Sequence, residues 1–462
     1  MRILHVTLGI PPLRSGGLVK YCMDLANHQI KAGENVEILF PAYFTLKRQT
    51  SIKTHLAGKL VIHKIINPLP VPLIYGINSP KRYMKTCNSD CYLDLLSNNI
   101  YDIIHVHSFM GVHKEFFDLA AEKKIPIIFT THDYFPLCIK TSFFDYKNEF
   151  CQEYDDQKCA ECNFGEGLNK KLEYLVQSNI YSTLKSNVVV KKIRSLISKS
   201  LKKSPSKTSD NLKLKTNEYS DLSKYYKLIL ENITAIHSNS YLAKSIYERE
   251  LPDKTNHFIP ITHSDMESGK SHDKKEKTLG DIVKLGYFGG NNEKKGFNFL
   301  VRALNQKGIK NGKKLELFLW GDDYPRVDID SVEVYNKGFY KYKDLNSVLN
   351  EIDILIVPSL WPETFGFIVA EALLRGVPVI CSNNVGASYL LDDCSPNLVY
   401  KYNDENEFIK KLNYALLDEN YKRIREMIVL KSFDFDMNNH TESISVFYRI
   451  IISTFKEEKG LK

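Results

Sequence analysis

At 462 residues, with 43% hydrophobic and 26% charged residues, the chain has room for two or three globular domains and lacks the composition of a disordered protein. Its net charge of +8 is moderate for this length, and no apolar run approaches the ~18 residues of a membrane-crossing helix. The N-terminal MRILHVTLGI has neither the long apolar core nor the cleavage site of a signal peptide, so a cytoplasmic location is expected. Nine cysteines over this length do not make a disulfide scaffold.

Residues 2–8 form an apolar strand. The loop 9–17 holds Pro11, Pro12 and the pair Gly16-Gly17. A helix follows with Leu18, Cys22, Leu25 and Ala26 on one face, ending at Gly33, and residues 36–40 form the next strand. This strand–helix–strand order predicts a parallel sheet. The loop is not GxGxxG, and no acidic residue closes the second strand, which argues against a dinucleotide site. Gly16 and Gly17 mark either a tight turn or a close approach of backbone to a ligand. Residues 102–106 (DIIHV) and 125–130 (IPIIFT) read as two more buried strands, each followed by a histidine, His107 and His132. Ligands of open α/β sheets bind beyond the carboxyl ends of strands. His105 is expected to alternate to the other face.

Cys138, Cys151, Cys159 and Cys162 then fall in the pattern C-x12-C-x7-C-x2-C. In a reducing compartment such a set suggests a structural zinc knot with four protein ligands, hence no open position for catalysis. Four unrelated thiols in a loop is the other reading. The segment from Lys185 to Lys207 holds eight basic residues and no acidic one. Val190, Ile193, Ile197 and Leu201 lie on one helical stripe within it. A basic amphipathic helix can rest on an anionic membrane surface, or it is a helical insertion with a solvated lysine face. No aromatic residue interleaves the charges as a nucleic-acid groove would require. Residues 268–277 are a charged linker. The expected domains are therefore residues 1–267, with an insertion over about 138–230, then residues 278–440, then a final helix over 441–462.

The second domain opens on the strand 281–288, then Gly289-Gly290-Asn291-Asn292 and a helix from Gly296, with Lys294 and Lys295 just ahead of it. A helix start offers N–H donors to phosphate, and a lysine there can reach a diphosphate. Strands follow at 315–320, 332–335, 377–381 and 398–400. Between them lies the densest stretch, strand 353–359 (DILIVPS) followed by WPETFGFIVAEALLRGVPVI, residues 361–380. Glu363 sits in the loop and Glu371 in the helix that Gly376 and Pro378 stop. The N–H groups of Gly366, Phe367 and Ile368 point between the two carboxylates. An anion cradle flanked by carboxylates suits a phosphate ester rich in hydroxyls, such as a nucleotide-sugar.

The Glu-x7-Glu spacing, with PETFG and EAL after a strand ending Pro-Ser, resembles the family-4 retaining glycosyltransferases of bacterial surface-polysaccharide type. The likeness is strongest over 285–380, intermediate over 1–133 and weakest between. It implies the GT-B fold: two Rossmann-like parallel-sheet domains facing a cleft, here with a Cys-rich loop and a basic helical insertion in the first. It implies transfer of a sugar from a UDP- or GDP-sugar to the hydroxyl of a sugar or lipid-linked acceptor, with configuration retained and no metal needed for catalysis. By the same resemblance Glu363 and His132 are catalytic, with His132 near the primary hydroxyl of the donor sugar, and His107 faces the acceptor. Gly16, Gly17, Lys294, Lys295, Gly338, Phe339, Phe365, Gly366, Phe367, Ile368 and Glu371 surround the donor: Glu371 on the ribose, Gly338 and Phe339 on the base. One departure is plain. The family's diphosphate-binding arginine is missing, with Gly290 in its place. Many such enzymes work at the inner face of the cell membrane, which agrees with the basic segment. The alternatives are a GT-B nucleotide-sugar epimerase and a zinc-containing nucleic-acid-binding protein.

Overall fold

The computed structural model describes the whole chain except residues 73–75, 153, 164–169, 180, 182–208, 268–276, 307, 310–311, 393 and 461–462. The basic segment from Lys185 to Lys207 and nearly all of the linker therefore lie outside the described residues. Two α/β domains stand side by side. In the first, β1 (Arg2–Val6), β2 (Asn35–Tyr43), β3 (Ser51–Ala57), β4 (Leu60–Ile66), β5 (Ile103–Val106), β6 (Ile127–Thr130), β7 (Ala235–Ser238) and β8 (Thr255–Phe258) form one sheet in the order β3-β4-β2-β1-β5-β6-β7-β8. Every pair is parallel except β3 with β4. In the second, β9 (Ile282–Tyr287), β10 (Lys314–Trp320), β11 (Val332–Gly338), β12 (Ile354–Val357), β13 (Val379–Ser382) and β14 (Val399–Tyr400) run parallel in the order β11-β10-β9-β12-β13-β14.

The inner strands β5, β6, β12 and β13 are buried throughout, and β1 and β9 over most of their length, so they read as largely apolar runs. The hairpin β3–β4 was not foreseen. Its outer strand is exposed over Lys53–Ala57 and carries the polar composition of an edge that water covers. In each sheet the strand order reverses at one point, between β1 and β5 and between β9 and β12. Those crevices are where loops splay apart and ligands enter.

The helix Gly17–Lys31 buries Val19, Tyr21, Cys22, Leu25, Ala26 and Gln29. Against it lies the helix Met437–Glu458, which leaves the second domain and returns to the first. Its Ile444, Phe447 and Ile451 are buried, each adding on the order of 1.5–3 kcal/mol of apolar burial. Two glycines let the second domain's loops close over its strands. Gly296 has φ +79, and a Cβ there would lie 1.9 Å from the Pro358 carbonyl oxygen. Gly366 has φ +94 and faces Val385 and Glu363. Neither position tolerates a side chain without moving backbone.

Candidate functional site

Loops that follow β1, β6, β9, β11 and β12 meet between the domains. The loop after β12 carries Glu363, whose backbone is clamped on both sides: its N–H donates to Asn384 O at 2.7 Å, and its carbonyl accepts from Gly386 N at 2.8 Å. The carboxylate accepts from Ser359 Oγ at 2.8 Å and from the Lys295 ammonium. Lys295 also lies 5.6 Å from the centre of the Trp361 ring. Lys294, from the same turn, points across the cleft and donates to Ser142 Oγ at 2.6 Å. So the two lysines diverge: Lys295 reaches the Glu363 side and Lys294 the first domain. Gly290, standing where the resemblance expects arginine, adopts φ +72 with its N–H 2.9 Å from the Tyr324 hydroxyl.

The helix Phe367–Leu374 begins at Gly366. No hydrogen bond inside the protein takes up the N–H groups of Gly366, Phe367 or Ile368 among the described residues, which leaves the positive end of the helix open. Phe365 itself is core, its side chain 2% exposed, so only its backbone borders the site. Phe367 packs edge-on against His263 of the first domain, ring centres 5.0 Å apart, and faces Gly17. Glu371 lies on this helix, buried, with Oε1 3.3 Å from His263 Nε2. Tyr342 stands close enough that burial and then the Glu371 charge push its hydroxyl well up. Gly338 ends β11 at φ +69, and Phe339 is 76% exposed, a bare ring at the rim. Gly16 has φ +123 with nothing near its α-carbon face.

Several buried polar atoms around this cleft have no partner among the described residues: His263 Nδ1, Trp361 Nε1 and the Tyr134 hydroxyl. Buried polar groups are normally hydrogen-bonded. Their gathering beside Glu371, Lys295 and Glu363 marks a place built to receive a polar molecule.

On the first-domain side, Thr364 Oγ1 donates to His132 O at 2.9 Å and ties the PETFG loop to the loop after β6. His132 is half-buried, and the mass around it pushes its pKa down to about 3. Asp133, beside it, is raised to about 7 by burial. His107 does not open onto an acceptor. It is buried, with Nδ1 3.1 Å from His132 Nε2 and Nε2 2.9 Å from His5 Nδ1. It borders the cleft only through His132. His105 does not alternate away either: residues two apart share a face, and its ring centre lies 4.1 Å from that of His107. His5, His105 and His107 form the one set of three potential metal-binding side chains with ligand atoms within 4.8 Å of one another among the described residues. All six of their ring nitrogens are already hydrogen-bonded, so each lone pair they carry is engaged within the protein.

The four clustered cysteines are free thiols. They are electrostatic neighbours: after burial, Cys138, Cys162 and Cys151 all push the Cys159 thiol up. Cys159 and Cys162 sit on the helix Asp156–Asn163, and Cys138 Sγ accepts from Phe143 N at 3.3 Å. The donor set suits zinc. No three of these sulfurs lie within 4.8 Å of one another, so gripping a metal requires the loop and the helix to draw closer.

Residue reasoning missed His263, Tyr342, Ser359, Gln29, His5 and Tyr448. Only His5 carried a signal, a histidine inside an otherwise apolar strand.

Two family models match, one in each domain. Glycosyltransferase Family 4 covers residues 15–156, and Glycosyl transferases group 1 covers residues 282–418. A 41.2 kDa protein in the cps region of Klebsiella pneumoniae is 25% identical over 132 residues, which is 28% of this chain and 35% of that protein. The chain thus spans about a third of that relative's length. Among solved structures, sucrose-phosphate synthase from Thermosynechococcus elongatus has TM-score 0.52 at 15% identity, covering 98% of this chain and 100% of the other. Anabaena Alr3699/HepE, in complex with UDP and glucose, has TM-score 0.51 at 13% identity over 97% and 99%. WaaG, a glycosyltransferase involved in lipopolysaccharide biosynthesis, has TM-score 0.51 at 12% identity over 97% and 99%. At these identities the likeness speaks for the fold.

Proposed function

We propose that this glycosyltransferase of the GT-B fold takes its sugar from a nucleoside diphosphate donor and transfers it to an acceptor hydroxyl with retained configuration. The observation that carries the reading is the open helix start at Gly366, set between Lys295–Glu363 and Glu371 and lined with unpartnered polar atoms. The diphosphate would lie on the N–H groups of Gly366, Phe367 and Ile368, displacing Lys295 from Glu363 to neutralise the leaving group. Preorganised donors of this kind act where charge develops in the transition state. Glu371 would accept from ribose hydroxyls, and His263 Nδ1 would find a partner there. Glu363, released from Lys295, would accept from sugar hydroxyls on the face away from the leaving group. Gly338 and Phe339 would border the base. Lys294, on Ser142, would stand near both the donor phosphate and the acceptor, and Gly16 and Gly17 would leave room beside them.

His132 would meet the donor sugar from the first domain. Closure of the cleft would exclude water and so suppress hydrolysis. A role in surface-polysaccharide assembly, on a sugar or lipid-linked acceptor, belongs to this reading; the partial match to a protein of a cps region agrees with its first half. No helix among the described residues is long and apolar enough to cross a membrane, and the segment from Lys185 to Lys207 would supply contact with an anionic membrane surface. A zinc on Cys138, Cys151, Cys159 and Cys162 would pin the loop beyond His132 and take no part in transfer.

A thermal-shift panel of UDP- and GDP-sugars tests the reading. A donor at 100 times its Kd adds about 2.7 kcal/mol of stability. A panel in which no nucleotide or nucleotide-sugar raises Tm refutes it.

A further inference from the structure

A buried line of hydrogen bonds runs through the first domain to the cleft, and each link has a direction. It begins at a backbone carbonyl. His237 Nε2 lies 2.8 Å from Ile259 O. A carbonyl only accepts, so His237 carries its proton on Nε2. Its Nδ1 then accepts the Thr130 hydroxyl proton at 2.8 Å. With that proton spent, Thr130 Oγ1 accepts from His105 Nε2 at 2.6 Å. His105 Nδ1 therefore accepts from the Tyr448 hydroxyl at 2.6 Å. The Tyr448 oxygen accepts from Gln29 Nε2 at 3.3 Å, which turns Gln29 Oε1 to His5 Nε2 at 2.7 Å. An amide oxygen also only accepts, so His5 is protonated on Nε2 and bare on Nδ1. His107 Nε2 donates to that nitrogen at 2.9 Å, and His107 Nδ1 accepts from His132 Nε2 at 3.1 Å.

These links require neutral imidazoles, and burial supplies them. It pushes His5 and His237 down to about 4 and His105 and His107 well below the ordinary value. The line is built by the fold itself. The register of β1 on β5 sets His5 beside His105, and that of β6 on β7 sets Thr130 beside His237. Tyr448 arrives on the returning helix Met437–Glu458. Reversing any one link would leave Ile259 O facing a lone pair or two N–H groups facing each other. At the far end, His132 Nδ1 has no protein partner among the described residues, on a half-buried ring at the cleft.

We propose that this line fixes His132 as the Nε2–H tautomer with a bare Nδ1 lone pair in the cleft. The site then takes a donor sugar that presents a hydroxyl there and rejects one that presents a carboxylate. A hydroxyl can give its proton to the lone pair, whereas a carboxylate meets it with another. His107, His5, Gln29 and Tyr448 are positioning residues for that choice. The inference rests on the donor site proposed above and narrows it to neutral sugars, excluding uronic acids.

The test has two arms on the full chain. With [15N]histidine labelling, the His132 ring, assigned through His132→Asn, should show a protonated Nε2 and a bare Nδ1 at pH 7.5. Protonation on Nδ1 overturns the proposal without reference to any sugar. In the second arm, binding of UDP-glucose and UDP-glucuronate, with a GDP-mannose and GDP-mannuronate pair, is compared in wild type and Tyr448→Phe. That variant cuts the line between Gln29 and His105 without touching His132. The wild type should prefer the neutral sugar by at least tenfold. In Tyr448→Phe both tautomers should appear at His132, and uronate binding should tighten fivefold or more while the neutral sugar changes less than twofold. A merely structural role for Tyr448 would weaken both alike. Equal wild-type affinity for both sugars overturns the proposal. If Tyr448→Phe fails to fold, the wild-type spectrum and the wild-type sugar preference still decide. An Nε2–H tautomer in a protein that binds no nucleotide-sugar defeats the donor reading and the selectivity together, while the proton line itself stands.

Discussion

Glu371→Gln is the sharpest probe of the donor site. The Glu371 side chain is buried, with Oε1 3.3 Å from His263 Nε2; the Tyr342 hydroxyl lies against it, and His263 Nδ1 has no partner among the described residues. The substitution keeps size and shape, so packing of the helix Phe367–Leu374 should survive. What changes is one acceptor oxygen, replaced by an N–H2 that donates toward ribose hydroxyls also needing to donate. A hydrogen bond to a charged group contributes roughly 1.5–3 kcal/mol net, so the affinity of UDP or GDP should fall about 10- to 150-fold. Isothermal titration with whichever diphosphate stabilises the wild type measures this directly, and no acceptor is required. Steady-state kcat/KM for the donor should fall in proportion, chiefly through KM. A folded Glu371→Gln protein that binds the diphosphate within twofold of wild type would refute the ribose assignment.

Three further outcomes are expected. The folded-state pKa of His5, His105, His107, His132, His237 and His440 lies below the ordinary 6.5 in every case. The unfolded chain therefore takes up protons first as pH falls. Stability held above about pH 6.5 is lost toward pH 4, by up to about 1.4 kcal/mol per pH unit for each histidine. Asp133, raised to about 7, opposes this as a single group. Urea midpoints at pH 7.5 and 5.5 should differ sharply, and equal midpoints would contradict the buried neutral network. Protein purified without chelator should carry about one zinc per chain, and stripping it should lower Tm. Absence of zinc, with all four clustered thiols alkylated at once in the folded protein, removes that assignment. Neutralising the lysines between Lys185 and Lys207 should weaken binding to anionic vesicles and leave transfer to a soluble acceptor intact; unchanged vesicle binding ends the membrane proposal.

The strand ends and the Glu-x7-Glu loop were legible because they depend on local order. A buried strand, a glycine with positive φ and a helix start follow one another within a few residues, so Glu363, Gly366 and Glu371 could be placed from spacing alone. Lys295 was legible for the same reason. Its pairing with Glu363 was not, since it depends on the adjacency of β9 and β12 rather than on sequence distance. His107 misled because a histidine after a strand looks alike whether it faces the cleft or a second histidine. Only the packing of β1 on β5, which brings His5 Nδ1 within 2.9 Å of His107 Nε2, tells the two apart. Gln29 and Tyr448 were beyond reach, because nothing in residue type or spacing says that an amide and a phenol on two helices 419 residues apart will meet. The hairpin β3–β4 hid because an edge strand does not need the apolar alternation that marks a half-buried one.

The return of the helix Met437–Glu458 has a consequence for biosynthesis. The Tyr21 hydroxyl meets His440 Nε2 at 2.9 Å, 419 residues later in the chain, and Gln29 meets Tyr448 across the same span. The opening domain thus waits, during translation, for a clasp made after the second domain has already emerged. Its early intermediates must hold histidines, tyrosines and a glutamine with unmet polar atoms beneath an uncovered apolar stripe. A ribosome-bound chain lacking that clasp should be protease-sensitive in its first half while its second half is already resistant.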